Sequence, residues 1–179
     1  MSFEIIDTDF LGLKIVKPHL FKDERGIYKK HFESDFFKNN GLTFNVSESS
    51  DIYSDKGVIR GLHYQEVESQ AKLIRVIKGK IFDVAVDMRP NSKTYMKSFS
   101  VILDDKDFKG VLIPEGFAHG FMCLENNTVF SYNCSGRYLP EYCGGLRWND
   151  PKLNINWPLR EFNVNKITLS EKDKNWKLI

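Results

Sequence analysis

The sequence predicts an all-β domain built from many short strands, arranged as a sandwich, jelly roll or barrel. Three observations predict it. Aromatic residues make up 13% of the chain, with fourteen Phe and seven Tyr, a bias toward strands over a helical bundle. Apolar and polar residues alternate with a period of two in several segments. Turn-forming residues interrupt those segments at short intervals.

In chain order, Ser34–Asn40 is the one segment that reads as a helix, with Ser34 suited to cap it and Gly41 to stop it. Within Val58–Gln65, strict alternation puts His63 on the face of Ile59, Gly61 and Gln65, and Arg60 on the opposite face. Within Ile81–Met88, Phe82, Val84, Val86 and Met88 share one face, and Asp83, Ala85 and Asp87 the other. Asp83, Lys78 and Lys80 read most simply as water-facing residues, while for Asp87 that reading is only one option. Phe117, His119, Phe121 and Cys123 line up together, as do Phe130, Tyr132 and Cys134. Turns fall at Lys78-Gly79, Arg89-Pro90-Asn91, Asp104-Asp105 and Pro114-Glu115-Gly116. In a small barrel whose mouth holds a ligand, inward strand positions can carry polar chemistry.

The 179 residues suit one domain, 1–179, with a short C-terminal tail and enough length to bury a core. The balance of 26 basic and 24 acidic residues leaves a net charge of +2, which gives no electrostatic case for nucleic-acid or membrane-surface partners. Any anionic ligand must then be gripped by a few placed residues. Met1–Leu13 lacks the basic and apolar regions of a signal peptide, and no apolar run is long enough to span a bilayer. Three cysteines, Cys123, Cys134 and Cys143, include no CxxC pair and fit a cytoplasmic protein with reduced thiols. Cys123 and Cys134 read as small buried residues.

Four segments stand out: Asp23-Glu24-Arg25-Gly26, Arg60-Gly61-Leu62-His63-Tyr64-Gln65, Pro114-Glu115-Gly116-Phe117-Ala118-His119-Gly120 and Leu169-Ser170-Glu171-Lys172-Asp173. Together with Gln70-Ala71-Lys72-Leu73 and Phe82–Asp87, they resemble the dTDP-4-dehydrorhamnose 3,5-epimerase family, from about Gly12 to Asp173. The resemblance implies a cupin-type jelly-roll β-barrel, a homodimer, and an enzyme that uses no metal and no cofactor. The implied activity is epimerisation of a nucleotide-linked 4-keto-6-deoxy hexose at C3, C5 or both.

Epimerisation beside a ketone needs a base for the α-proton, a cation or donor for the enolate oxygen, and an acid on the opposite face. By resemblance His63 is the base, and imidazole suits the task with an ordinary pKa of about 6.5. Asp173 matches the carboxylate that orients it, Lys72 the ammonium beside the keto oxygen, and Tyr132 the opposite-face acid. Arg25 and Arg60 match residues that hold the diphosphate or sugar, through guanidinium forks. Arg25 would come from the partner subunit. His119, Tyr138 and Glu48 match further substrate-binding positions.

Each residue also has a plainer reading. His119 could simply bond backbone after its turn, Tyr132 could be a core aromatic, and the arginines could form surface ion pairs. Asp173 could be a solvated charge, and His19 and His31 read as surface residues. Glu48-Ser49-Ser50-Asp51-Ile52, Lys29-Lys30-His31 and Arg137-Tyr138 depart from the family's usual pattern, which leaves the nucleotide base and the exact sugar open. A metal-dependent cupin would need clustered ligands, and RGLHYQ supplies one histidine that only His119 could join. A non-catalytic sugar-nucleotide binder would not need His63, Lys72, Tyr132 and Asp173 together.

Overall fold

The alternating segments become two antiparallel sheets laid face to face, in a computed structural model that describes residues 3–179. Met1 and Ser2, which open the segment read above as unlike a signal peptide, lie outside the described residues. The six-stranded sheet has the order β1 (Glu4–Asp7), β2 (Lys14–Lys17), β10 (Gly110–Ile113), β7 (Lys72–Lys78), β12 (Thr128–Ser135), β5 (Val46–Ser54). The five-stranded sheet runs β13 (Cys143–Gly145), β6 (Ile59–Gln65), β11 (Phe117–Cys123), β8 (Lys80–Asp87), β9 (Ser98–Asp104). A separate hairpin joins β3 (His19–Asp23) to β4 (Gly26–Lys30). Among the described residues no helix is long and apolar enough to cross a membrane.

The space between the sheets is filled from both sides. Ile74, Val76, Val111 and Phe130 enter from one sheet, and Ala85, Leu103, Phe117 and Phe121 from the other. Phe121 and Phe130 meet edge to face across the gap, with ring centroids 4.4 Å apart. Full burial of each such side chain is worth about 1.5–3 kcal/mol. A second apolar layer covers the outside of the five-stranded sheet, where Phe82, Val84, Ala118 and Met122 pack under Leu146, Leu153 and Trp157. Strands β8 and β11 are therefore covered on both faces. The alternations expected for β11 and β12 hold: Phe117, Phe121 and Cys123 point into the core, and Phe130 does the same.

Several expectations are corrected. Strict alternation fails in β6, because the β6–β11 register pairs His63 with His119 but Arg60 with Phe121. Two residues of β6, Gly61 and Leu62, oppose the single Gly120, as in a β-bulge. Ile59 and Leu62 thus share the outer apolar layer, and His63 turns inward, away from the face of Ile59. Gly61 is required here: its φ is +122°, and a Cβ would lie 2.5 Å from Gly120 Cα. Asp83 does not face water; it is buried, as is Asp87, because their side of β8 looks into the barrel. Asp87 is held by Arg89, Ser92 and Thr94.

The first helix, α1 (Ser34–Asn39), starts one residue earlier than a Ser34 cap would require. Glu33 holds the N-cap position and makes no side-chain cap bond. His31 is not a surface residue: it is half-buried, its Nε2 lacks a partner, and burial with Arg75 and Lys29 nearby lowers its pKa to about 4. His19 stacks on Phe21, with centroids 4.1 Å apart. A second short helix, α2 (Glu171–Lys174), occupies what reads as a simple tail. Ser170 caps it by accepting from the Asp173 N–H at 3.1 Å.

Candidate active site

The bulge that turns His63 inward brings it to a cavity of 350 Å³ between the sheets. His63 and Gln65 line it from the five-stranded sheet, and Lys72, Tyr132 and Cys134 from the six-stranded one. Glu48, Cys134 and Lys72 form one cross-strand row, through the pairings Cys134–Glu48 and Cys134–Lys72. Tyr138 follows β12 into the rim, where its backbone N–H donates to Glu48 Oε1 at 3.0 Å. Larger hollows lie elsewhere; that of 720 Å³ sits against the β3–β4 hairpin.

His63 and Asp173 meet although 110 residues separate them: Nε2 lies 2.6 Å from Oδ1. Donation from Nε2–H to the carboxylate leaves Nδ1 as the free ring nitrogen. The pair is asymmetric in exposure, with the His63 side chain 44% exposed and that of Asp173 3%. Burial alone would raise the Asp173 carboxyl above its ordinary 3.8. The His63 bond and charge, the Gly61 N–H and the Trp176 indole N–H outweigh burial and hold it lower. Helix α2 presents Asp173, and Trp176 follows it onto the sheet beside Gly145, where a Cβ would lie 2.1 Å from the indole. Gly145 of β13 thus makes room for the indole that supports the pair, and Gly144 makes room for the Tyr64 ring.

Lys72 is 6% exposed, and its Nζ reaches only the Gln70 carbonyl, at 3.4 Å. Burial lowers its pKa, countered in part by Cys134, Cys143 and Glu48. Tyr132 is raised well above its ordinary 10, first by burial and then by Cys134, Asp83 and Glu48 nearby. Its phenol is thus protonated at neutral pH and able to act as a donor. A basic nitrogen on one wall faces a phenol on the other, with an ammonium beside them. Such a cavity can take a proton from one side of a bound carbon and return one to the other side.

His63, Asp173, Lys72, Tyr132, Tyr138 and Glu48 are brought together; three other expected residues are not. Arg25 lies near the tip of the β3–β4 hairpin, 85% exposed and paired with Asp23 at 2.6 Å. Arg60 points away from the cavity lining and reaches Ser54 Oγ at 3.3 Å. His119 lies beneath Tyr132, ring centroids 6.0 Å apart, and is bonded through Nε2 to buried Asp83 Oδ2 at 2.8 Å. Among the described residues no group of three or more His, Cys, Asp or Glu side chains is placed to hold a metal ion. The lining also includes Tyr64, Gln65, Gln70, Cys143 and Lys172, to which sequence reading assigned no role. Lys172 precedes Asp173 in LSEKD, but neighbouring helix positions point in different directions, so the motif alone does not place it at the cavity.

Fold and site together define a cupin-type jelly roll with acid–base groups on facing walls. Residues 7–179 match the dTDP-4-dehydrorhamnose 3,5-epimerase family, and the chain belongs to it. A dTDP-4-dehydrorhamnose 3,5-epimerase of Methanothermobacter thermautotrophicus is 44% identical, over 98% of this chain and 94% of the relative. The crystal structure of dTDP-6-deoxy-D-glucose-3,5-epimerase from Legionella pneumophila, in complex with dTDP-4-keto-L-rhamnose, matches with a TM-score of 0.92. It is 39% identical, with 98% of this chain and 92% of that one covered. The dTDP-4-dehydrorhamnose 3,5-epimerase of Bacillus anthracis, with TDP and PPi bound, also scores 0.92, at 35% identity and 99% coverage of both chains.

Proposed function

We propose that this chain, as one domain over 1–179, is a 3,5-epimerase converting dTDP-4-dehydro-6-deoxyglucose to dTDP-4-dehydrorhamnose. The observation that carries the reading is the placement of His63 and Tyr132 on opposite walls of one cavity, with Lys72 and Glu48 on the two strands that flank the strand of Tyr132. His63 Nδ1 removes the proton next to the C4 ketone, and the C–H electron pair moves into an enolate. The Lys72 ammonium stabilises the enolate oxygen. The Tyr132 hydroxyl gives its proton to the opposite face of the carbon, which inverts it. The imidazolium then loses its proton to solvent, and the phenolate regains one. The same cycle serves C3 and C5, each of which adjoins the C4 carbonyl. Side chains alone complete this chemistry, with no cofactor.

Lys172 at the cavity supplies one cation for the diphosphate. Arg25 supplies another across a homodimer: its hairpin exposes Phe21, Ile27 and Tyr28, an apolar surface suited to a second copy of the chain. Arg60 and His119 support the substrate's binding from positions outside the lining. We place the enzyme in the cytoplasm, where its three free cysteines stay reduced. The test is NMR in heavy water with TDP-, GDP- and CDP-linked 4-keto-6-deoxy sugars. Deuterium entering C3 and C5 of the TDP sugar, with inversion at both, is the expected result. Incorporation at one carbon only would reduce the activity to a single epimerisation, and none with any nucleotide would refute the reading.

A further inference from the structure

Two glutamines line the same cavity and are used in opposite ways. Gln65 is fully engaged: its Nε2 donates to the carbonyls of Val67, Glu68 and Arg137 at 2.9, 2.7 and 3.0 Å, and its Oε1 accepts from the Leu139 N–H at 2.8 Å. That side chain ties the loop after β6 to the loop after β12. Gln70 makes no such bonds. It is 7% exposed, and its Nε2 is enclosed without a partner. Among the described residues only His31 Nε2 shares that condition, and His31 is not part of this cavity.

A buried amide donor with no acceptor is a costly arrangement, and native proteins rarely keep one without a use for it. Gln70 stands just ahead of β7, two residues before Lys72, whose ammonium is bonded to Gln70's own carbonyl oxygen at 3.4 Å. That bond is to the backbone of Gln70, and both residues line the same cavity, so Gln70 belongs to the wall that carries the group serving the sugar's ketone. We infer that Gln70 is a hexose-recognition residue whose amide bonds a ring hydroxyl of the substrate. This rests on the epimerase reading above and adds a specificity contact to it. A 4-keto-6-deoxy hexose carries only two free hydroxyls, at C2 and C3; with the ketone assigned to Lys72, these are the groups left for an amide beside it. The terminal torsion of Gln is soft, so the carboxamide can turn either its NH₂ or its oxygen toward a hydroxyl, which both donates and accepts.

The test compares binding of dTDP alone with binding of a dTDP-linked 6-deoxyhexose by calorimetry, in wild type and Gln70→Met. No turnover is needed, so failure of the epimerase reading and failure of this one are separable. The dTDP affinity should stay within about twofold. The extra affinity contributed by the hexose should fall about tenfold, the scale of one well-placed hydrogen bond. With the 4-keto substrate, KM should rise by a similar factor while kcat changes less. Because Nε2 has no partner to lose, Gln70→Met should unfold at the same temperature as wild type or higher. Unchanged hexose affinity in a folded variant would overturn the inference. Equal loss of dTDP and sugar-nucleotide binding, or a lowered unfolding temperature, would assign Gln70 a structural role and overturn it as well.

Discussion

Replacing Asp173 with Asn removes one charge while keeping the shape, and the geometry gives the expected size of the effect. The carboxylate accepts from His63 Nε2 at 2.6 Å, from Gly61 N at 3.3 Å and from Trp176 Nε1 at 3.3 Å. A carboxamide offers one oxygen for those three donors and turns an NH₂ group toward one of them. Facing His63, that NH₂ favours the tautomer with the proton on Nδ1, which leaves the pocket nitrogen unable to act as base. Facing it with the oxygen keeps the tautomer but loses the charge that stabilises the imidazolium. A hydrogen bond to a charged group is worth about 1.5–3 kcal/mol, so this loss alone slows proton abstraction about 10- to 150-fold. With the tautomer effect added, Asp173→Asn should slow exchange about 10²- to 10⁴-fold. Deuterium exchange into the substrate, followed by NMR, measures it directly. Since the folded carboxyl titrates below its ordinary 3.8, the wild-type group adds stability above about pH 4 and loses it as pH falls through the folded value. The Asn variant should lack that acid-limb dependence. Exchange within threefold of wild type, in a folded Asp173→Asn protein, would refute the base assignment of the pair.

Tyr132→Phe should separate exchange from inversion: His63 still forms the enolate, so deuterium enters unreacted substrate, while inverted product falls about 10²- to 10⁴-fold. Equal losses in both would assign Tyr132 to positioning or packing. Mixing Arg25→Ala subunits with His63→Ala subunits should restore activity through dimers that hold one intact site, and size-exclusion light scattering should show those dimers; an active monomer would exclude shared sites. His31, held at about 4 by burial and by Arg75 and Lys29, makes the unfolded chain bind a proton that the folded chain refuses between about pH 6.5 and pH 4. Stability should therefore fall with pH across that window, and His31→Gln should flatten the fall in thermal unfolding measured from pH 7.5 to 5; an unchanged slope would remove His31 as its source.

Much of the candidate site, as a gathering of side chains at one cavity, was legible in short motifs. RGLH, QAKL and LSEKD named His63, Lys72 and Asp173, and the alternation of Phe130, Tyr132 and Cys134 placed Tyr132 facing inward. The reading of Arg25 and Arg60 as substrate ligands has no counterpart in the cavity lining of one chain, because a hairpin's reach and a strand's outward face are decided by what they pack against. Gln70 lay inside a quoted motif, yet nothing in QAKL says that its amide lacks a partner.

The sequence by itself determined the strand-rich class, the inward faces of β11 and β12, the family and the types of side chain available for acid–base chemistry. Those properties are local: a period of two follows from the geometry of an extended chain, and a motif carries its residues with it. Tertiary structure decided which faces are buried and which residues meet. Asp83 read as solvated until the second apolar layer and the barrel interior enclosed β8 from both sides. The direction of His63 depended on one extra residue in β6 opposite Gly120, a feature of pairing between strands that alternation along one strand cannot contain. His63 and Asp173 are 110 residues apart, and only the packing of α2 against β6 brings Asp173 to within 2.6 Å of His63.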